Sequence, residues 1–313
     1  MILVTGTSGF VGKALTEALL KAEYQVRGVG RSQADTCKHP GFQFTTIEDV
    51  TTMFDWTDKL QGVKTVIHTI ARVHIMDDNA ADPLAAFRKV NVEATLNLAN
   101  QAAELGIKRF VFISSIKVNG ESTTDGKPFS ELTTTIPTDP YGLSKYEAEQ
   151  GLLEIAKNTS MKVVIIRPPL IYGPGVKANF AAMMRWLYKG IPLPLGAVKN
   201  KRSLLALTNL VDFIIYCIEH PKAANEIFLI SDGEPVSTTD LCRKIATAMG
   251  KKVILIPIPI VIISVIASLA GKQTMIDRLF GSLEVDCSKA NNILGWKPVI
   301  TMEEQLKQMV NQV

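Results

Sequence analysis

Over the first two-thirds of the chain, short apolar runs alternate with longer stretches whose apolar positions recur every three or four residues. The runs at 2–5, 25–29, 42–47, 65–69, 110–114, 162–167 and 226–231 are short, rich in β-branched residues and free of internal proline. Such runs read as strands buried on both faces. Between them, Phe10, Val11, Ala14, Leu15, Ala18 and Leu19 share one helical stripe, and Val90, Ala94, Leu98 and Ala102 another. Strand and helix in alternation predict an α/β protein with a doubly wound parallel sheet covered by helices on both sides.

Beyond Arg167 the texture changes. Pro168, Pro169, Gly173, Pro174 and Gly175 punctuate the chain, and 191–196 reads as a proline-spaced loop. No flexible linker appears, and 204–230 returns to strand and helix patterning. The expected division is therefore discontinuous: 1–170 with about 204–232 as one unit, and about 171–203 with 233–313 as a smaller α+β lobe. In a parallel sheet, ligands bind beyond the carboxyl ends of the strands, where such a lobe would close over them.

Composition narrows the function. The chain has 313 residues, 47% hydrophobic and 20% charged, an ordinary globular balance. Its net charge of +4 is spread without a basic stripe, so no nucleic-acid partner is expected. Cys37, Cys217, Cys242 and Cys287 lie far apart with no metal-ligand spacing, so neither a metal site nor a disulfide framework is expected. Residues 1–5 already read as a strand, leaving no room for a leader, and the expected location is the cytoplasm. The run 253–270 lacks charge, but Pro257 and Pro259 interrupt it. The remaining 260–270 would span only about 16 Å as helix, against a hydrocarbon core of about 30 Å. A buried or interface-covering helix is expected there, with peripheral membrane contact left open.

Gly6, Gly9 and Gly12 in TGTSGFVG follow the first strand and open the first helix. Without a Cβ, the backbone turns sharply and lets a pyrophosphate approach the helix N-terminal N–H groups. This strand–glycine–helix context marks a Rossmann-type dinucleotide site, with Ser8, Phe10 and Val11 as further contacts. At the end of the second strand, an acid would select NAD and an arginine NADP. Gly30 and Arg31 stand there, which tilts the expectation toward NADP over NAD. Asp49 and Val50, after the third strand, are placed to bind and cover the adenine.

DPYGLSK sets Tyr141 and Lys145 four residues apart on one helical face, behind an Asp139 cap and a first-turn Pro140. A free tyrosine, with a pKa of about 10, is a poor base at neutral pH. A neighbouring ammonium and an oxidised nicotinamide would favour the phenolate, and a fall of about 3 units needs about 4 kcal/mol. On spacing alone, an ordinary i,i+4 surface pair is the favoured reading.

Six stretches in order, TGTSGFVG, VIHTIA, FVFISSIKVNG, YGLSK, RPPLIYGPG and LGWKP, resemble the extended short-chain dehydrogenase/reductases of the nucleotide-sugar epimerase/dehydratase family and cover nearly the whole chain. The resemblance implies that Tyr141 is the acid/base, that Lys145 holds the nicotinamide ribose and lowers the phenol pKa, and that Ser115 hydrogen-bonds the reacting sugar oxygen. By the same token Ala71, Pro168 and Ile171 would line the cofactor, while Asn179, Arg202 and Arg278 would grip the nucleotide diphosphate of a UDP-linked sugar. It also implies a homodimer through the helices at 87–105 and 141–155.

Departures from the family pattern refine this. Ile116 and Lys117 stand where dehydratases carry an acidic pair, which makes dehydration improbable. Asn119 replaces the tyrosine of VYG and is expected to alter the sugar pocket, which Arg72 and His74 also approach. Hydride transfer at C4 remains, with two outcomes: a 4-ketoreductase acting on a 6-deoxy-4-keto-N-acetylhexosamine for surface polysaccharide, the leading expectation, or a 4-epimerase retaining NAD. A non-catalytic NADP-sensing regulator is the reading from another class; the presence of Ser115, Tyr141 and Lys145 together speaks against it.

Overall fold

The computed structural model describes residues 1–311 apart from 32–37, 48, 51–52, 74–81, 125, 134, 260 and 265–278. Seven parallel strands form the central sheet: β1 (Ile2–Thr5), β2 (Val26–Gly30), β3 (Phe42–Thr46), β4 (Thr65–His68), β5 (Arg109–Ile113), β6 (Lys162–Arg167) and β9 (Glu226–Leu229). Their spatial order is β3-β2-β1-β4-β5-β6-β9. All seven expected strands are present, each within two residues of its expected ends. The chain adds a separate parallel pair that the sequence did not announce, β7 (Leu170–Tyr172) and β8 (Leu204–Ala206). Each is only three residues long, too short to show alternation.

Successive side chains of a strand point to opposite faces, and the core records this. Ile2, Val4, Ile67, Val111, Ile113, Val164 and Ile166 join one apolar cluster. Leu3, Val66, Phe110, Phe112, Val163 and Ile165 join the other. Helices α1 (Phe10–Lys21), α2 (Thr57–Leu60), α3 (Pro83–Arg88), α4 (Ala94–Glu104), α5 (Pro140–Asn158), α6 (Ala178–Tyr188), α7 (Leu207–Glu219), α8 (Thr238–Ala248) and α9 (Met302–Val310) complete the described elements. Leu15 and Leu19 of α1 with Phe213 and Cys217 of α7 cover the first face. Leu98 and Ala102 of α4 with Ala148 and Leu152 of α5 cover the second.

A third cluster, including Phe180, Met184, Leu241, Ile245, Leu306 and Met309, joins α6, α8 and α9 to Tyr172 of β7. Asp232, just past β9, ties this cluster to the sheet. It accepts from Tyr172 Oη at 2.7 Å, Ala206 N at 2.8 Å and Asn209 Nδ2 at 2.7 Å. Residues 253–259, interrupted by Pro257 and Pro259, form no helix, and Ile254 and Ile256 are exposed. Only 261–264 of the anticipated helix falls within the described residues.

Strand order reverses direction between β1 and β4, and a crevice at the carboxyl ends of adjacent strands is the binding place such a reversal creates. The glycine turn, Thr69 and Ser115 all stand at that edge.

Candidate active site

The chain leaves β1 at Thr5, turns at Gly6 with φ of 78°, and enters α1 after Gly9. A Cβ on Gly12 would lie 2.1 Å from the Gly6 carbonyl oxygen, and one on Gly6 would lie 2.8 Å from Thr69 Oγ1. Neither position tolerates a side chain, because strand and helix approach here backbone to backbone. Gly9 supplies no capping side chain, so the first-turn N–H groups of α1 remain directed at the crevice, the arrangement that receives a pyrophosphate. Ser8 and Gly9 are exposed, while Phe10 and Val11 are half-buried at the mouth. At the end of β2 there is room beside Gly30, where a Cβ would come no nearer than 3.6 Å to Ser8 Oγ. Arg31 is exposed next to it, Asp49 is exposed, and Val50 packs against the second core cluster.

Beneath this turn His68 closes β4. Its Nδ1 is 2.8 Å from Thr5 Oγ1 and its Nε2 is 3.1 Å from Thr95 Oγ1. Thr69 N also donates to Thr5 Oγ1 at 3.2 Å. Burial, and the nearby Lys145, push the His68 pKa down to about 3, so the ring is a neutral strut. Nothing local in the sequence marks this role for His68.

The catalytic candidates converge from β5 and α5. Asp139 caps α5 by accepting from Gly142 N at 2.9 Å, with Pro140 in the first turn, as the sequence predicts. Ser115 opens a short turn of helix, its hydroxyl accepting from Lys117 N at 3.2 Å, and it lies near enough to Tyr141 to act on the phenol. Phe87 meets the Tyr141 ring edge-on at 5.9 Å. Asn91 fixes the surroundings: its Nδ2 donates to Ser144 Oγ at 2.9 Å and to Arg72 O at 3.0 Å, while its Oδ1 accepts from Arg72 N.

Burial dominates the electrostatics of the protein alone. It pushes the Tyr141 pKa up to about 12; Asp139 adds to the rise and Ser115 opposes it. The Lys145 amine is buried, donates to Ile113 O at 2.8 Å and sits 4.3 Å from the Phe112 ring centre. Its own pKa is lowered to about 7 by burial, partly offset by Glu149. The protein alone thus keeps the phenol protonated, and a cation added above the site has to supply the lowering.

Ser114 and Ser115 diverge. Ser114 Oγ donates to Glu149 at 2.5 Å, away from Tyr141, which leaves Ser115 as the hydroxyl beside the phenol. Glu149 also pairs with Arg167, whose Nη1 donates to Asn119 Oδ1 at 3.0 Å. Asn119 Nδ2 donates in turn to Ser130 O. Asn119 is 2% exposed, so it serves this buried network and does not shape the sugar pocket; that expectation is corrected. The spacing of Ser114, Glu149 and Arg167 gave no signal, because a single buried carboxylate on a helix reads as part of a solvated face.

Remaining contacts lie further out. Pro168 is buried and its carbonyl accepts from Ile116 N at 3.0 Å, which holds the β6 exit against the Ser115 turn. Ile171 lies in β7 and Ala71 is half-buried after β4. Asn179 is exposed at the start of α6. Arg202 is half-buried, and its Nη1 donates to Gly281 O at 2.8 Å. Arg278 and His74 fall outside the described residues.

Residues 2–231 match the model of the NAD dependent epimerase/dehydratase family. A UDP-glucose 4-epimerase from Vibrio cholerae is 49% identical over 98% of this chain and 93% of its own length. Solved structures share the fold: a UDP-glucuronic acid 4-epimerase from Bacillus cereus in complex with NAD has a TM-score of 0.78, with 22% identity over 99% of this chain and 97% of that one. A UDP-N-acetylglucosamine 4-epimerase from Bacillus cereus likewise reaches 0.78, at 20% identity over 99% and 98%. With a glycine turn shaped for a pyrophosphate and a match across most of its length, the chain belongs to the NAD dependent epimerase/dehydratase family.

Proposed function

We propose that the protein is a nucleotide-sugar 4-epimerase that keeps NAD bound through turnover and inverts C4 of a UDP-linked hexose or N-acetylhexosamine. The observation that carries this is the 49% identity to a UDP-glucose 4-epimerase along essentially the whole chain. It favours epimerisation over the ketoreduction that Gly30 and Arg31 led us to expect. Ile116 and Lys117, in place of an acidic pair, argue against dehydration.

In this reading the glycine turn of Gly6, Gly9 and Gly12 would hold NAD, which would supply reversible hydride acceptance. The protein's own groups handle the proton. Tyr141 Oη receives it from the sugar 4-hydroxyl and later restores it, with Ser115 holding the same oxygen in line. Lys145 would hold the cofactor ribose. Asn179, Arg202 and Arg278 would bind the diphosphate, and the lobe around the third apolar cluster would close over the sugar to exclude water. A homodimer through α4 and α5 completes the reading.

The test is direct. The purified protein is denatured and the released nucleotide identified, and native protein is incubated with UDP-galactose or UDP-N-acetylgalactosamine without added cofactor. Released NAD together with C4-inverted product is expected. An empty protein that consumes NADPH on a 4-keto-6-deoxy sugar would instead establish the ketoreductase.

A further inference from the structure

Away from the crevice, one face gathers apolar, aromatic and cationic side chains. Segments 183–196 and 249–264 lie side by side, with Leu193 N donating to Ile254 O at 3.0 Å and Ile256 N to Leu193 O at 2.8 Å. Leu193 and Leu195 turn inward to the third core cluster. Ile191, Ile254, Ile256, Val261 and Ile262 face outward, with Val261 74% exposed. Trp186 and Tyr188 stand beside them, 50% and 59% exposed. Large exposed apolar side chains in one patch, rather than singly, mark a contact surface.

The charge is as uneven as the hydrophobicity. The two segments contain Arg185, Lys189, Lys251 and Lys252 and no acidic residue, and all four are exposed. Outside them the chain has 30 basic and 30 acidic residues, so these two segments alone carry a surplus equal to its formal charge of +4. Lys251 Nζ sits 5.0 Å from the Tyr188 ring centre, placing the cation level with the aromatic edge of the patch.

We propose that this face docks on an anionic lipid surface, with the cations meeting headgroup phosphates and Trp186, Ile254, Ile256, Val261 and Ile262 entering the interfacial layer. Exposed aliphatics and aromatics flanked by Lys and Arg suit that boundary, where one side is apolar and the other wet and negative. A second copy of the chain is a poorer occupant, since a symmetric contact would set like charges against each other. No helix among the described residues is long and apolar enough to cross a membrane, so the contact is with the surface.

Trp186 is a built-in probe, because Trp56 and Trp296 are 2% and 5% exposed. Full-length protein is mixed with phosphatidylcholine vesicles with or without phosphatidylglycerol. Co-sedimentation with the anionic vesicles at low salt is expected, with a blue shift in emission that Trp186→Phe removes. Each cation near such a surface is worth about fivefold in affinity, so Lys251→Glu with Lys252→Glu should weaken binding by more than about 25-fold. Unchanged circular dichroism and unchanged turnover of a UDP-sugar in solution establish that the double variant is folded. Absence of binding at low salt, or binding indifferent to the charge reversal, would overturn the proposal. So would an emission shift that follows protein concentration without vesicles, which would make the face a contact between copies; a shift on adding an acidic protein but not vesicles would make it a protein-docking site.

Discussion

Glu149 and Arg167 form a two-point ion pair inside the protein, with Nε 3.0 Å from Oε1 and Nη2 2.5 Å from Oε2. Glu149 reaches it from α5, the helix that carries Tyr141 and Lys145, and Arg167 from the last position of β6. Ser114 and Asn119 use the remaining polar atoms. The pair thus fixes how far α5 stands from the β5 and β6 ends, and with it the spacing of Ser115 from Tyr141.

Breaking such a pair on one side leaves a buried charge without compensation, at a cost of about 3–5 kcal/mol. Arg167→Met should therefore lower the unfolding free energy by that amount in urea titrations. Replacing both Glu149 and Arg167 with methionine should recover much of the loss. If the double variant is as unstable as the single, the pair is not the unit of stability described.

Tyr141→Phe removes the proton carrier and leaves the ring against Phe87. Turnover should fall by about 10²–10⁴-fold, the usual span for a lost acid/base, while NAD affinity stays within a few-fold. The pH dependence has a definite sign. With the phenol pushed up to about 12 by burial, Tyr141 stays protonated at neutral pH in the protein alone. Bound NAD⁺ places a cation near it and should move its ionisation downward. The ultraviolet difference between parent and Tyr141→Phe protein should show the phenolate appearing at lower pH when NAD⁺ is present, and no such movement with NADH.

Much of this architecture was written in the alternation of the chain, because a strand buried on both faces must be apolar along its length, as 110–114 and 162–167 are. The glycine turn was equally readable, since only glycine fits where the Gly12 position meets the Gly6 carbonyl. The polar interior was not. Glu149, Arg167 and Asn119 are far apart in sequence, and nothing local says that they meet. His68 sits in a short strand run after Val66 and Ile67, and its two threonine partners lie 63 and 27 residues away. Where the Lys145 amine ends was not readable either, because helical spacing fixes the face and not the reach of a long side chain; it donates to the Ile113 carbonyl.

That placement has its own consequence for stability. The folded protein lowers the Lys145 pKa from 10.5 to about 7, so between those values the unfolded chain holds the proton more firmly. Stability contributed by this group is present above 10.5 and is lost as pH falls toward 7, with a slope of at most about 1.4 kcal/mol per pH unit. Lys145→Met carries no titrating group and should lack this component. The difference between the two proteins in chemical denaturation should shrink as pH falls from 10 to 7, the parent losing stability faster. A constant difference across that range would mean that Lys145 keeps its ordinary pKa in the folded state.

Arg31 offers a test of cofactor selection that is independent of turnover. It is exposed beside Gly30, where a Cβ would meet nothing closer than 3.6 Å, so both positions accept change without disturbing the turn. A guanidinium at the end of β2 favours a 2′-phosphate, whereas a carboxylate accepts from a 2′-hydroxyl and repels the phosphate. Arg31→Ala should weaken NADPH binding by about tenfold and leave NADH binding within about twofold, since only the phosphate contact is removed. Gly30→Asp should go further and reduce NADPH binding by a larger factor, because a carboxylate then faces the phosphate across a short gap. Isothermal titration with the two reduced nucleotides measures both. Equal losses for NADH and NADPH in Arg31→Ala would show that the side chain supports the loop after β2 rather than reading the ribose.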